Sequence, residues 1–317
     1  MEIAILLSII VLLYTLQTLF TKLYTDSYTA DPDMASSVFT VVSGSTVVIL
    51  TFFVFSLCKF TFNPWCLLIG VVNAISLFTY NFCLVKASRT GPYSIVMIFM
   101  MSGGILLPIF TSLILKWDSW STPFKVILNL LSIMLIFVAV YLVSSKEADG
   151  DGVQNSKITI PFIFASLGLA VANGVYSIIL TLQQRTVAAG GEGNRDEMII
   201  TTYFFAVVIS VIYGVIKKRG AYFRAFRQNR KSLVFLVLAS VVVALAINLT
   251  VAIIPLIPST LFYTLDNSLV LVMSTLCSAL FFKERLSVKN IVGVVCMCIA
   301  LIAMNLLPVI VPAAWVA

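Results

Sequence analysis

The sequence predicts an all-α membrane protein of about ten transmembrane helices, arranged as two inverted five-helix repeats. Three observations carry that expectation. The chain is 61% hydrophobic and only 10% charged, with a mean hydropathy of +1.09, too little polar surface to coat a water-soluble globule. Its charges fall in short stretches between apolar runs of roughly 20 residues, the length that crosses about 30 Å of hydrocarbon. One pattern of proline, apolar run and acid occurs twice, 166 residues apart.

The apolar runs cover residues 3–23, 35–58, 64–85, 93–115, 123–143, 158–182, 199–216, 233–254, 259–281 and 288–307. The first lacks the basic leader of a secretory signal and exceeds the usual length of its apolar region, so it reads as a span. Residues 144–157 carry Glu147, Asp149, Gly150, Asp151 and Gly152 at the midpoint of the chain. They read as a linker (145–157) between a first repeat at 1–144 and a second at 158–317.

Lys217, Lys218, Arg219, Arg224, Arg227, Arg230 and Lys231 are interleaved with Tyr222, Phe223 and Phe226. A loop of that composition lies on an anionic membrane surface, and a loop between two spans offers no platform for nucleic acid. Of the 20 basic residues, 15 fall in the loops after odd-numbered spans and five on the other side. The positive-inside rule therefore places the odd loops in the cytoplasm and both termini outside.

The repeat begins at Gly91-Pro92-Tyr93-Ser94 and Ile257-Pro258-Ser259-Thr260. Each proline opens a run of about 23 residues that exits at an acid, Asp118 or Glu284, followed by Ser121 or Ser287. Asn81 and Asn248 sit upstream at offset 167. Five spans per repeat make the second copy enter the membrane from the opposite face, and inverted repeats place a cavity at their interface.

From Pro258 to Asn305 in particular, with Lys283-Glu284-Arg285-Leu286 closing one helix and Gly293 in the next, the chain resembles the ten-helix EamA-like branch of the drug/metabolite transporter superfamily. Ala87-Ser88-Arg89-Thr90-Gly91-Pro92 leading to Asp118 is the weaker first-half match, with Asp118 where the family shows Glu. The resemblance implies a multi-pass transporter of a bacterial cytoplasmic membrane that moves a small metabolite, such as an amino acid or sugar derivative, by alternating access. A multidrug or lipophilic-cation exporter is a variant of that reading. The resemblance also implies cytoplasmic termini, opposite to the charge count, so orientation stays open.

Asp266 is the formal charge placed deepest in a run, about 10 Å along a helix that starts at Ser259. Burying an acid there costs about 2.5–3.5 kcal/mol on insertion scales. It is a candidate for solute recognition or ion coupling, or else a carboxyl satisfied by Tyr263, Asn267 or a neighbouring helix. Gln17, Asn73, Tyr80, Asn81, Asn173, Tyr176 and Asn248 complete the candidate set, either lining a pathway or joining helices. Gly103-Gly104 with Pro108 reads as a hinge or as close packing.

No site for catalysis, cofactor or metal is expected. Histidine is absent, and the six cysteines (58, 66, 83, 277, 296 and 298) form no C-x-x-C pair. Asp31-Pro32-Asp33 and Asp149-Gly150-Asp151 read as turns, and Gly190-Gly191-Glu192-Gly193 lacks the strand and Lys-Ser/Thr of a phosphate loop. A lipid-processing enzyme would need clustered carboxylates or a nucleophile that this sequence lacks, whereas a scramblase would show no dependence on solute. The expected partners are a small solute, membrane lipid, and a coupling proton or exchanged solute.

Overall fold

The computed structural model describes residues 2–60, 63–115, 159–188, 195–227, 229–254, 259–282 and 288–305, with 127–128, 130–132, 134–135, 138–139 and 142. The linker and the exits of both repeat copies, at Asp118 and Glu284, lie outside these residues, as do Asp149 to Asp151 and Gly190 to Gly193.

The described residues form helices and contain no strand. In chain order the main helices are α1 (Glu2–Ser27), α2 (Ala35–Leu50), α3 (Pro64–Thr90), α4 (Tyr93–Leu115), α5 (Ile160–Ala188), α6 (Arg195–Lys218), α7 (Arg230–Ile253), α8 (Ser259–Phe281) and α9 (Val288–Asn305). Six are long and apolar enough to cross a membrane: α1, α2 with its extension to Phe55, α3, α5, α6 and α7. The expected spans in α4, α8 and α9 hold shorter apolar helices, Tyr93–Pro108, Leu265–Phe281 and Ile291–Ala300. Most of the expected fifth span falls outside the described residues, though those described within it at 127–142 are helical.

Local chemistry sets the helix starts. Asn63 caps α3 by accepting from the backbone N–H of Trp65 at 2.8 Å and Cys66 at 3.3 Å, with Pro64 in the first turn, where its missing N–H costs nothing. Asn229 caps α7 by accepting from Ser232 N–H at 2.8 Å. A π-helical turn, Thr51–Phe55, prolongs α2 until Leu57 and Cys58, at φ 49° and 62°, reverse the chain. Asp31 behaves as turn chemistry requires: its carboxylate accepts from Asp33 N–H at 3.1 Å and caps a short 3₁₀ turn, Pro32–Met34.

The surface is inverted relative to a soluble protein. Phe164 is 71% exposed, Ile216 74% and Leu280 74%, whereas Gln17, Asn81, Ser210 and Asn267 are buried. Apolar side chains spread over so much of the exterior require hydrocarbon as their solvent.

Helices from the two halves interleave. α1 packs on α7 and α8, α2 on α6 and α7, α3 on α5 and α6, and α4 on α5 and α8. Exchanging α1–α4 with α5–α8 in order leaves this set of pairings unchanged. Glycines allow the closest approach, between α4 and α5. A Cβ at Gly103 would collide with the Ala170 backbone, and one at Gly174 would meet Gly103 O and Leu107. Close packing therefore accounts for the glycine pair in α4, with Pro108 inside the same helix.

Candidate functional site

Each of α1–α8 contributes to one cavity. The contributions follow helical spacing, because residues three, four and seven apart share a face. Tyr14, Gln17 and Thr18 come from α1, and Leu77, Tyr80 and Asn81 from α3. Asn173, Tyr176, Ser177 and Leu180 come from α5; Tyr263, Asp266, Asn267 and Val270 from α8. Phe39 and Ser43 of α2, Met100 and Met101 of α4, Tyr203 of α6 and Val243, Ile247 and Thr250 of α7 close the wall, with Phe262.

Asp266 is the one charged side chain in that wall among the described residues, and no Lys or Arg lines it. It is 9% exposed, and its Oδ1 has no hydrogen-bond partner among the described residues. The phenols of Tyr14, Tyr80 and Tyr263 lie within electrostatic reach of its carboxyl.

Several other polar groups are engaged with the protein itself. Tyr14 shares a 3.1 Å hydroxyl–hydroxyl bond with Thr250, and Tyr80 donates to Met100 Sδ at 3.1 Å. Asn173 Nδ2 donates to Met100 O at 2.8 Å, and Asn267 Nδ2 to Tyr263 O at 2.6 Å. Tyr93 donates to Thr18 Oγ1 at 2.7 Å, and Tyr176 bonds Tyr203. These bonds fix the wall at the cost of hydrogen-bonding capacity toward a ligand.

Eight of the ten residues singled out in the sequence share this wall: Gln17, Tyr80, Asn81, Asn173, Tyr176, Tyr263, Asp266 and Asn267. Asn248 sits elsewhere. Its Nδ2 donates to Thr51 Oγ1 at 2.9 Å and Ala244 O at 2.8 Å, tying α7 to the π-turn that extends α2. One residue past Ile247 is about 100° around the helix, which turns Asn248 off the cavity face. Asn73 is buried in α3 outside the wall, both of its amide atoms without a partner among the described residues.

Tyr14 and Tyr203 were missed as candidates, although Tyr14 precedes Gln17 by three residues and so shares its face. Tyr203 is flanked by apolar residues and threonines, and only its phenol in mid-run marked it.

A second polar cluster joins the end of α1 and the start of α2 to the end of α6. Ser37 Oγ donates to Ser210 O at 2.9 Å, and Ser210 Oγ donates back to Ser37 O at 3.1 Å. The Tyr222 phenol shares a 2.9 Å hydroxyl–hydroxyl hydrogen bond with Ser37 Oγ. Tyr28 donates to Ala225 O at 2.9 Å, and burial pushes this phenol up to about 12, keeping the donor in place. Lys218 Nζ reaches Asp31 at 3.1 Å and Asp33 at 3.7 Å, so Asp31 both caps its turn and holds an ion pair. Asn229 Nδ2 donates to Ser27 O at 2.8 Å.

No protein-family model and no curated protein matches this chain. In fold it is similar to a solved structure described as "Crystal structure of protein", with a TM-score of 0.61 over 95% of this chain and 97% of the other, at 18% identity. That likeness establishes a shared architecture along almost the full length of both chains.

Proposed function

We propose that this chain is a ten-helix secondary transporter of the drug/metabolite type, built from two inverted five-helix repeats, that moves a small organic solute by alternating access through the cavity. The observation that carries the reading is the cavity wall: α1–α4 and α5–α8 all contribute to it, and among the described residues it holds one charged side chain, Asp266, with an oxygen that has no partner there. A pathway at the interface of two repeats is what alternating access requires, because rocking one half against the other exposes the same residues to either side. The exchange-invariant helix pairing supports the repeat, and the inverted distribution of polar and apolar residues supports a membrane location.

A binding and uptake experiment tests the reading. Solutes from several classes would be screened for thermal stabilisation of the purified protein, which grows as RT ln(1 + [L]/Kd), about 2.7 kcal/mol at a hundredfold excess. Any hit would then be followed into proteoliposomes. Saturable uptake of a stabilising solute is the expected result. Stabilisation by no solute, together with solute-independent lipid flipping, would replace the transporter with a scramblase.

A further inference from the structure

We infer that anionic phospholipid regulates this protein: headgroup phosphates bound along Arg219–Phe226 hold closed the interhelical lock of Ser37, Ser210 and Tyr222. Composition places this loop at an anionic surface, and its docking makes it a clamp whose grip depends on that surface. Only the membrane location is needed for this, not transport.

Arg219–Phe226 is a 3₁₀ helix, in which residues three apart eclipse and so share an edge. Tyr222 and Ala225, 1% and 3% exposed, form the edge turned into the bundle. The Tyr222 ring fills the space that a Cβ at Gly214 would need, its hydroxyl bonds Ser37, and Ala225 O accepts from Tyr28. Phe223 and Phe226 form the second edge. Both rings pack on Tyr222, with centroids 5.7 and 5.4 Å away, yet Phe223 stays 69% exposed. Arg224, with Arg227 just beyond the helix, forms the third edge, and both are exposed. An apolar edge beside a cationic one matches the boundary between acyl chains and phosphates.

The charges at this end are not balanced within the protein. Lys22 meets Asp26 at 3.0 Å, and Lys218 meets Asp31 at 3.1 Å and Asp33 at 3.7 Å, so these acids are already engaged. Arg219, Arg224, Arg227, Arg230 and Lys231 are exposed and have no acidic partner among the described residues. Their mutual repulsion opposes the docked form. So does the turn that starts the segment, where Arg219 takes the left-handed φ of 46° that glycine adopts more readily. Lipid phosphates cancel the repulsion. A ligand that binds the docked form stabilises it, and docking carries Tyr222 to Ser37 and Ala225 to Tyr28.

Hydrogen exchange of the full-length protein in nanodiscs tests this, with phosphatidylcholine alone compared with phosphatidylcholine containing phosphatidylglycerol. Amides of residues 219–231 should exchange at least about fivefold more slowly with phosphatidylglycerol, while residues 51–60, at the opposite end of α2, stay unchanged. Arg224→Gln with Arg227→Gln should remove the slowing, and Phe223→Ser should weaken it. Lys59→Gln, at that opposite end, should leave it intact.

Equal exchange in the two nanodiscs overturns the inference, as does slowing that survives the double substitution or is lost equally with Lys59→Gln. Soluble glycerol 3-phosphate producing the same slowing in phosphatidylcholine alone would overturn lipid as the occupant. Should the double variant fail to fold, wild type decides: the slowing should fade as salt is raised, and persistence at high salt overturns the charge argument. No solute enters the measurement, so its outcome is independent of whether the protein transports one.

Discussion

The cavity and the lock formed by Ser37, Ser210, Tyr222 and Lys218 are both built from polar side chains in a protein that has few, yet they resolve opposite problems. In the lock, donors and acceptors are matched: two serines exchange hydrogen bonds with each other's backbone, a phenol supplies the second serine contact, and Lys218 bridges two aspartates. In the cavity, the strongest acceptor keeps an oxygen without a partner among the described residues. A satisfied cluster fixes the relative position of helices, whereas a half-satisfied one stores a binding capacity that a ligand can complete. Buried polarity alone therefore does not mark a site, and neither does a missing partner, since Asn73 lacks one among the described residues outside the wall; the two together in a cavity do.

That contrast can be broken by substitution. The largest effect is expected at the α4–α5 contact beside the cavity. Gly103→Ala would drive a Cβ into the Ala170 backbone, which cannot swing aside as a side chain does, and should cost about 3 kcal/mol, at the upper end of overpacking. Gly44→Ala is the control. Its nearest neighbour is Val207 Cγ2, at 2.6 Å, with the Tyr203 backbone O at 3.3 Å, both farther off than the Ala170 backbone is from a Cβ at Gly103, so the loss should be smaller. Thermal unfolding of the two variants in one detergent gives the comparison; equal losses would contradict the packing account.

Next comes Ser37→Ala, predicted to cost about 2 kcal/mol because it deprives Ser210 O of its donor and leaves the buried Tyr222 phenol unmatched. Chemical or thermal denaturation reads this directly, and an unchanged midpoint would mean that the lock does not hold the helices. Asp266→Asn should give the smallest change in stability, within about 1 kcal/mol of wild type in either direction, because Asp266 Oδ1 has no hydrogen bond to lose among the described residues. A loss as large as that of Ser37→Ala would make Asp266 a structural residue and remove the contrast between the two regions.

Much of this was legible in the sequence, and the parts that were not have physical reasons. The apolar runs predicted helices because a backbone in hydrocarbon has to satisfy its own hydrogen bonds. Tyr263, Asp266 and Asn267, like Asn173 and Tyr176, stood out as polar residues in apolar runs; they lie three or four residues apart, and the structure turns both faces to one cavity. Offset symmetry was a poorer guide than helical phase. Asn81 and Asn248 match at offset 167, yet Asn248 is rotated off the wall and bonds Thr51. A repeat conserves position along the chain, but one residue of drift turns a side chain by about 100°.

Other features depend on contacts between distant segments and had no local signature. Ser37 and Ser210 are 173 residues apart, and nothing near either serine predicts the other. Gly103-Gly104 left hinge and packing open because the deciding neighbours, Ala170 and Asn173, belong to another helix. Asp31 was correctly read as turn chemistry, but its second partner, Lys218, is reached only through the fold.

We propose above all that one cavity is reached alternately from the two sides of the membrane. Its most direct test places a single cysteine at Ser43, in the cavity wall, after the six native cysteines have been replaced. Labelling by a membrane-impermeant maleimide is then measured from each side of oriented vesicles. Labelling of the cavity cysteine from both sides is expected. Labelling from one side only would contradict alternating access.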